Sequence, residues 1–83
     1  MRLVIRPPAQ RDFRTLTPEM KDRVRQAVRS LLRDPRPPGC KLLTGPYQAT
    51  WRIRAGDYRI LYEVDDAAGI VRILRVRHRS EAY

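Results

Sequence analysis

Trp51-Arg52-Ile53-Arg54-Ala55-Gly56-Asp57-Tyr58-Arg59-Ile60-Leu61-Tyr62-Glu63-Val64 decides how this chain folds. Trp51, Ile53 and Ala55 alternate with Arg52 and Arg54, and Tyr58, Ile60, Tyr62 and Val64 alternate with Arg59, Leu61 and Glu63. A period of two puts each set on its own face of a strand. Gly56-Asp57 between the two runs is a two-residue hairpin turn. With that turn, Ala55 opposes Tyr58, Arg54 opposes Arg59, Ile53 opposes Ile60 and Trp51 opposes Tyr62. Slipping the register by one residue sets Trp51 and Ile53 on the face of Arg59, so the apolar pattern selects this parity. One face is then apolar and has to be covered, and Trp51 belongs to it.

Working outward, Asp65 to Gly69 reads as a second turn and Ile70 to Val76 as a last strand. Its two faces are both mixed, which predicts a central strand covered on two sides. Before the hairpin, Met20, Val24, Ala27, Val28, Leu31 and Leu32 fall on one stripe of a helix that Thr17 caps and Pro18 opens. Ala9, Phe13 and Leu16 mark a shorter helix, and Leu3-Val4-Ile5 a first strand that Pro7-Pro8 ends, at a sheet edge. Asp34-Pro35-Arg36-Pro37-Pro38-Gly39 is a loop between the helical and the strand halves. The order is β-α-α-β-β-β, an α+β domain over residues 1–83 with a helical hairpin packed on one face of a mainly antiparallel sheet.

Composition narrows the function. Eighty-three residues bury only about 60% of the surface the unfolded chain exposes, too little for a large enzyme cleft. Eighteen basic against nine acidic residues leave +9, a bias toward an anionic partner. No apolar run approaches the roughly 18 residues of a membrane helix, and the first six residues are too short for a signal peptide, so the protein is expected in the cytoplasm. A lone Cys40 makes no internal disulfide and, with a single histidine, no zinc site. Cys40 reads as a small part-buried filler.

Register tells which of the sixteen arginines matter. Arg25, Arg29 and Arg33 lie off the apolar helix stripe and read as a solvated face. Arg52, Arg54 and Arg59 gather on the sheet face opposite the helices, and any one of them alone is best read as a solvated strand residue. Arg54 and Arg59, however, oppose each other, where like charges cost a few tenths to about 1 kcal/mol. A sheet that accepts this repulsion is expected to hold an anion. His78 and Arg79 with Tyr83 form a second constellation. His78 carries the one side chain whose charge ordinarily changes near neutrality, and the surrounding cations favour its neutral form, able to accept a proton. Taken alone, it is more often a capping or surface histidine. Tyr83 is a core anchor or an aromatic platform for a base.

Three stretches, Lys41-Leu42-Leu43-Thr44-Gly45, Trp51 to Val64, and Val76-Arg77-His78-Arg79-Ser80-Glu81-Ala82-Tyr83, closely resemble the RelE/ParE superfamily of bacterial toxins. The helical half and the Asp34-Pro35 loop match as well, so the resemblance spans nearly the whole chain. It implies the toxin of a type II toxin-antitoxin pair, restrained by a cognate antitoxin with an acidic, amphipathic segment. It also implies a metal-independent endoribonuclease, with no cofactor, that cleaves mRNA in the ribosomal A site and so inhibits translation. In that chemistry the ribose 2′-hydroxyl attacks the adjacent phosphate.

By resemblance, Arg52, Arg54, Arg59, Arg79 and Tyr83 carry this work: Arg59 clamps the phosphate, Arg79 serves the leaving oxygen and Tyr83 stacks on the nucleotide. Lys41, Arg52 and Arg77 are expected to bind substrate. RelE-type members have lysine where this chain has Arg52 and Arg54, and arginine stays protonated. His78 is then the substitute base, Tyr83 the second choice, and a ribosomal nucleotide a further source of acid-base chemistry. Two other outcomes stay open at this stage, a ParE-like toxin that poisons DNA gyrase without being an enzyme and a degenerate partner of an antitoxin.

Overall fold

Gly56 has φ of +60°, the backbone conformation that a two-residue turn needs at its first position and that costs glycine little. Around it, the computed structural model, which describes residues 1–43 and 49–81, forms β3 (Trp51–Ala55) and β4 (Tyr58–Asp65). They pair as the apolar pattern requires: Trp51 with Tyr62, Ile53 with Ile60, Arg54 with Arg59 and Ala55 with Tyr58. The other elements are β1 (Arg2–Ile5), α1 (Pro7–Arg14), α2 (Pro18–Arg33), β2 (Lys41–Leu42) and β5 (Ile70–His78), followed by a 3₁₀ turn at Arg79–Glu81.

The five strands form one sheet in the order β1-β5-β4-β3-β2. Among the described strands only β1 runs parallel to its neighbour, so the sheet is mixed and mainly antiparallel. The short β2 is an addition to the expected order. Two residues facing Arg52 and Trp51 give too weak a periodic signal to stand out from a loop.

The helices cover one face. Thr17 caps α2 by accepting a hydrogen bond from the Met20 N–H at 3.2 Å, and Val24, Val28 and Leu31 project from that helix into the core. They meet Ile53, Ile60, Tyr62, Val71, Ile73 and Val76 from the sheet, with Ala9 of α1 closing the end. Trp51 is half-buried against this cluster.

β5 does lie inside the sheet, between β1 and β4, but its mixed faces have another cause than cover on both sides. Leu61 pairs with Arg75 while Tyr62 pairs with Ile73, so a bulge at Leu74 shifts the alternation by one. Val71 and Ile73 before it, and Val76 after it, thereby reach the same core.

β1 stops at Ile5, and α1 takes its place beside the second half of β5. Asp12 of α1 accepts hydrogen bonds from the Val76 N–H at 3.0 Å and from the Arg75 guanidinium at 2.8 and 3.1 Å. A ladder group that has no strand partner once β1 ends is thus satisfied by a side chain. The loop after α2 is tied down as well. The buried Tyr62 hydroxyl donates to the Pro35 carbonyl at 2.7 Å, and Arg36 forms two hydrogen bonds to the Asp66 carboxylate while lying over the Trp51 ring. Burial and the neighbouring Cys40 hold the Tyr62 phenol well above its usual range, so it stays a donor. Among the described residues no helix is long and apolar enough to cross a membrane.

Candidate functional site: a cationic cavity at the hairpin end

Antiparallel partners share a face, so the pairing fixes which side chains sit together. Arg54 pairs with Arg59 and Arg59 with Arg77, which sets three arginines in a row across β3, β4 and β5 on the face away from the helices. Lys41, Arg52, Leu61 and Arg75 form the adjacent row. Two such rows of cations repel one another, and the fold tolerates it because core packing on the opposite face fixes the parity of every strand.

At the turn, Arg54, Arg59 and Arg79 line a polar cavity of about 360 Å³ together with Gly56, Asp57 and Tyr58. Arg79 comes from the 3₁₀ turn, which docks on the hairpin through a hydrogen bond from the Arg79 N–H to the Asp57 carbonyl at 2.9 Å. The Asp57 carboxylate is 4.0 Å from Arg79 Nε, a loose exposed contact that leaves the guanidinium available. Arg54 is exposed and makes no ion pair among the described residues. Arg77 reaches the Glu81 carboxylate at 3.5 Å with one terminal nitrogen, while its buried Nε has no hydrogen-bond partner among the described residues.

The structure therefore brings Arg54, Arg59 and Arg79 together, with Arg77 beside Arg59. Arg52 and Lys41 pair with each other one row along, and Arg52 is buried at 8% exposure where an open-face arginine was expected. His78 is set apart from the arginines. It pairs with Tyr58 on the helix side of the sheet, stands edge-on to that ring at 5.2 Å, and its Nδ1 accepts from the Ser80 N–H at 3.1 Å. Successive strand residues point to opposite faces, so His78 turns away from Arg77, and adjacency in sequence overstated its proximity to the arginines. Tyr83 lies outside the described residues.

Asp57, placed by the sequence in the hairpin turn, also lines the cavity.

The family model described as the ParE toxin of the type II toxin-antitoxin system parDE matches residues 3–83. This chain belongs to that toxin family. Within the RelE/ParE superfamily it is RelE-like: it is 40% identical over 76 residues to Toxin RelG of Mycobacterium tuberculosis, covering 90% of this chain and 86% of the relative. The toxin-antitoxin complex RelBE2 of the same organism contains a chain 35% identical to it, with a TM-score of 0.83 over 94% of this chain and 96% of that one. The archaeal RelE-RelB complex of Pyrococcus horikoshii, at 24% identity, shares the fold, with a TM-score of 0.83 over 98% and 97% of the two chains. In this chain the RelE-like toxin fold places three arginines around one cavity.

Arginine remains protonated at any physiological pH, so these three can bind and stabilise an anion but cannot take a proton. Of the described cavity residues, Asp57 carries the one carboxylate, and the Tyr58 ring turns to the helix side with His78. For the ribonuclease activity that the resemblance implies, His78→Ala is accordingly expected to change the rate less than tenfold and to leave the shape of the pH-rate profile as it was. Loss of a limb of the profile in that variant would place His78 in the proton transfer after all.

Proposed function

We propose that this toxin is a ribosome-dependent mRNA endoribonuclease, and the observation that carries the reading is the convergence of Arg54, Arg59 and Arg79 on one cavity. The ribose 2′-oxygen attacks the adjacent phosphorus and the bond from phosphorus to the 5′-oxygen breaks. The products are a 2′,3′-cyclic phosphate and a 5′-hydroxyl; one proton leaves the attacking oxygen and one is gained by the leaving oxygen. Negative charge builds on the phosphoryl oxygens in the transition state, and fixed guanidinium groups are worth most there. Arg59, half-buried between Arg54 and Arg77, is the clamp, able to bind two oxygens at once. Arg54 adds charge from the neighbouring strand, and the exposed Arg79 serves the leaving oxygen. Tyr83 is proposed to stack on the nucleotide. The cavity is too small and open to order a substrate by itself, which suits a substrate already held by the ribosome.

RelBE structures hold a toxin with its antitoxin, and a cognate antitoxin is proposed here too. An apolar groove of about 220 Å³ runs between β1 and the two helices, lined by Leu3, Ile5, Phe13 and Val28, with Arg25 and Arg29 at its rim. Leu3 and Ile5 are 38% and 41% exposed. Apolar walls under a cationic rim suit an acidic amphipathic segment.

Purified toxin added to translating ribosomes is expected to produce cuts within the A-site codon, suppressed by the antitoxin. Intact mRNA together with trapped gyrase-DNA complexes would replace this reading by gyrase poisoning, and unaffected growth on expression without antitoxin would make the protein an inactive partner.

A further inference from the structure

Attack by a ribose 2′-hydroxyl on phosphorus needs a group that accepts one proton. The arginines cannot, and His78 stands on the helix side of the sheet, away from Arg54, Arg59 and Arg79. Among the described residues that line the cavity at the turn there is no lysine and no histidine. Asp57 is left as the acceptor.

The Asp57 carboxylate is not taken up in a structural pair. Asp12 and Asp66 each close on a guanidinium through two hydrogen bonds, from Arg75 and from Arg36. The Asp57 side chain is 69% exposed, and its contact with Arg79 Nε, at 4.0 Å, is longer than a hydrogen bond. A carboxylate present for charge balance alone is expected to close on its cation as Asp12 does.

Its support is rigid. Gly56 holds the turn at φ of +60°, and Arg79 N–H donates to the Asp57 carbonyl at 2.9 Å. From α2, Arg23 Nη1 and the Met20 side chain come within 3.1 and 3.4 Å of the place a Gly56 Cβ would take. One turn thus carries the carboxylate and docks Arg79 beside Arg54 and Arg59. The charged groups around Asp57 are Arg54 of β3, Arg59 of β4, Arg79 of the 3₁₀ turn and Arg23 of α2. Three guanidiniums against one carboxylate leave the cavity cationic, so a phosphate can still bind there.

We propose that Asp57 is the general base of the cleavage, taking the proton of the ribose 2′-hydroxyl. That hydroxyl lies beside the phosphate it attacks, so a phosphate held on Arg59 brings it into the cavity that Asp57 lines. Its O–H bond breaks, the proton passes to the carboxylate and the oxygen bonds to phosphorus. The bond from phosphorus to the 5′-oxygen breaks, Arg79 stabilises the charge left on that oxygen, and water supplies its proton. Asp57 then returns its own proton to solvent. The assignment rests on the ribonuclease reading.

In the test, full-length toxin is added to ribosomes paused on an mRNA, and single-turnover cleavage is followed from about pH 6.5 to 8.5. The parent rate is expected to stay nearly level, because carboxylates ordinarily titrate well below this range. Asp57→Asn keeps the backbone carbonyl that holds Arg79. It is expected to cleave about a hundredfold more slowly at neutral pH, with a rate that rises about tenfold per pH unit as hydroxide replaces the lost base. Asp57→Glu, which restores a carboxylate, is expected to recover a level profile. In an Arg79→Ala background, Asp57→Asn is expected to lower the rate further. The melting temperature of each variant is followed alongside.

Undiminished cleavage by Asp57→Asn overturns the assignment. A loss with a level profile and no further effect on Arg79→Ala overturns it too, since Asp57 then acts through Arg79. A parent that does not cleave rejects the ribonuclease reading and the assignment with it, whereas either of the other two results in an active parent rejects the assignment alone.

Discussion

Arg59→Ala is expected to slow cleavage of ribosome-bound mRNA by about a hundred- to a thousandfold, the usual loss on removing one preorganised group that stabilises developing negative charge. Arg59 stands in the middle of the row formed with Arg54 and Arg77 and lines the cavity that also holds Arg79. Neither neighbour can take over its position, because each is fixed to its own strand. Arg59→Lys is expected to fall between parent and alanine variant, since a point charge keeps the attraction and loses the two-point geometry. The measurement is primer extension on mRNA from a reconstituted translation system, with the melting temperature of each variant followed alongside. Undiminished cleavage by Arg59→Ala would remove the cavity from the mechanism. If Arg59→Ala lost activity and melted near the growth temperature, the loss would belong to folding, and the lysine variant would then decide.

Asp12→Ala is expected to destabilise the fold by about 1–3 kcal/mol, because it leaves the Val76 N–H and the Arg75 guanidinium without their acceptor in a part-buried place. The Arg75 side chain is 39% exposed, so water recovers part of that loss. For a domain of this length the melting temperature should fall by roughly 5 to 20 °C.

The effect is linked to pH. Burial pushes the Asp12 carboxyl up, but the hydrogen bonds from Arg75 and Val76 and the charges of Arg75 and Arg77 together outweigh it and hold the group below its ordinary value. A carboxylate with a depressed folded pKa stabilises fully above its unfolded value, about 3.9. That contribution shrinks as pH falls below this value and is gone once the folded value is passed. Parent and Asp12→Ala should therefore differ most at neutral pH and converge in strong acid. A difference that stays constant from pH 7 to pH 2 would show that Asp12 acts through packing and not through its charge.

The pair of strands around Gly56 was legible because a period of two, a two-residue turn and a continuous apolar face all demand one register. The same register put Arg54 opposite Arg59 before any coordinates were needed. The α2 stripe and its Thr17 cap were legible for a similar reason, since capping and helical periodicity are local. The site was less legible at its ends. Arg52 belongs by alternation to the open face, yet it is buried, and alternation says nothing of what lies over a side chain. His78 stood beside Arg77 in the sequence and faces the other side of the sheet, since successive strand residues diverge.

The sequence by itself determined the elements other than the short β2, the parity of the hairpin, the cationic face and, through its motifs, the toxin superfamily. These depend on near neighbours in the chain and on which faces must be kept from water. Tertiary structure alone decided the sheet order, the parallel β1 edge, the bulge at Leu74, the docking of Asp12 on Arg75 and Val76, and the arrival of Arg79 at the Arg54 and Arg59 cavity. Each of those brings together groups distant in sequence, and their pairing follows from how the helices cover the sheet and where a strand runs out.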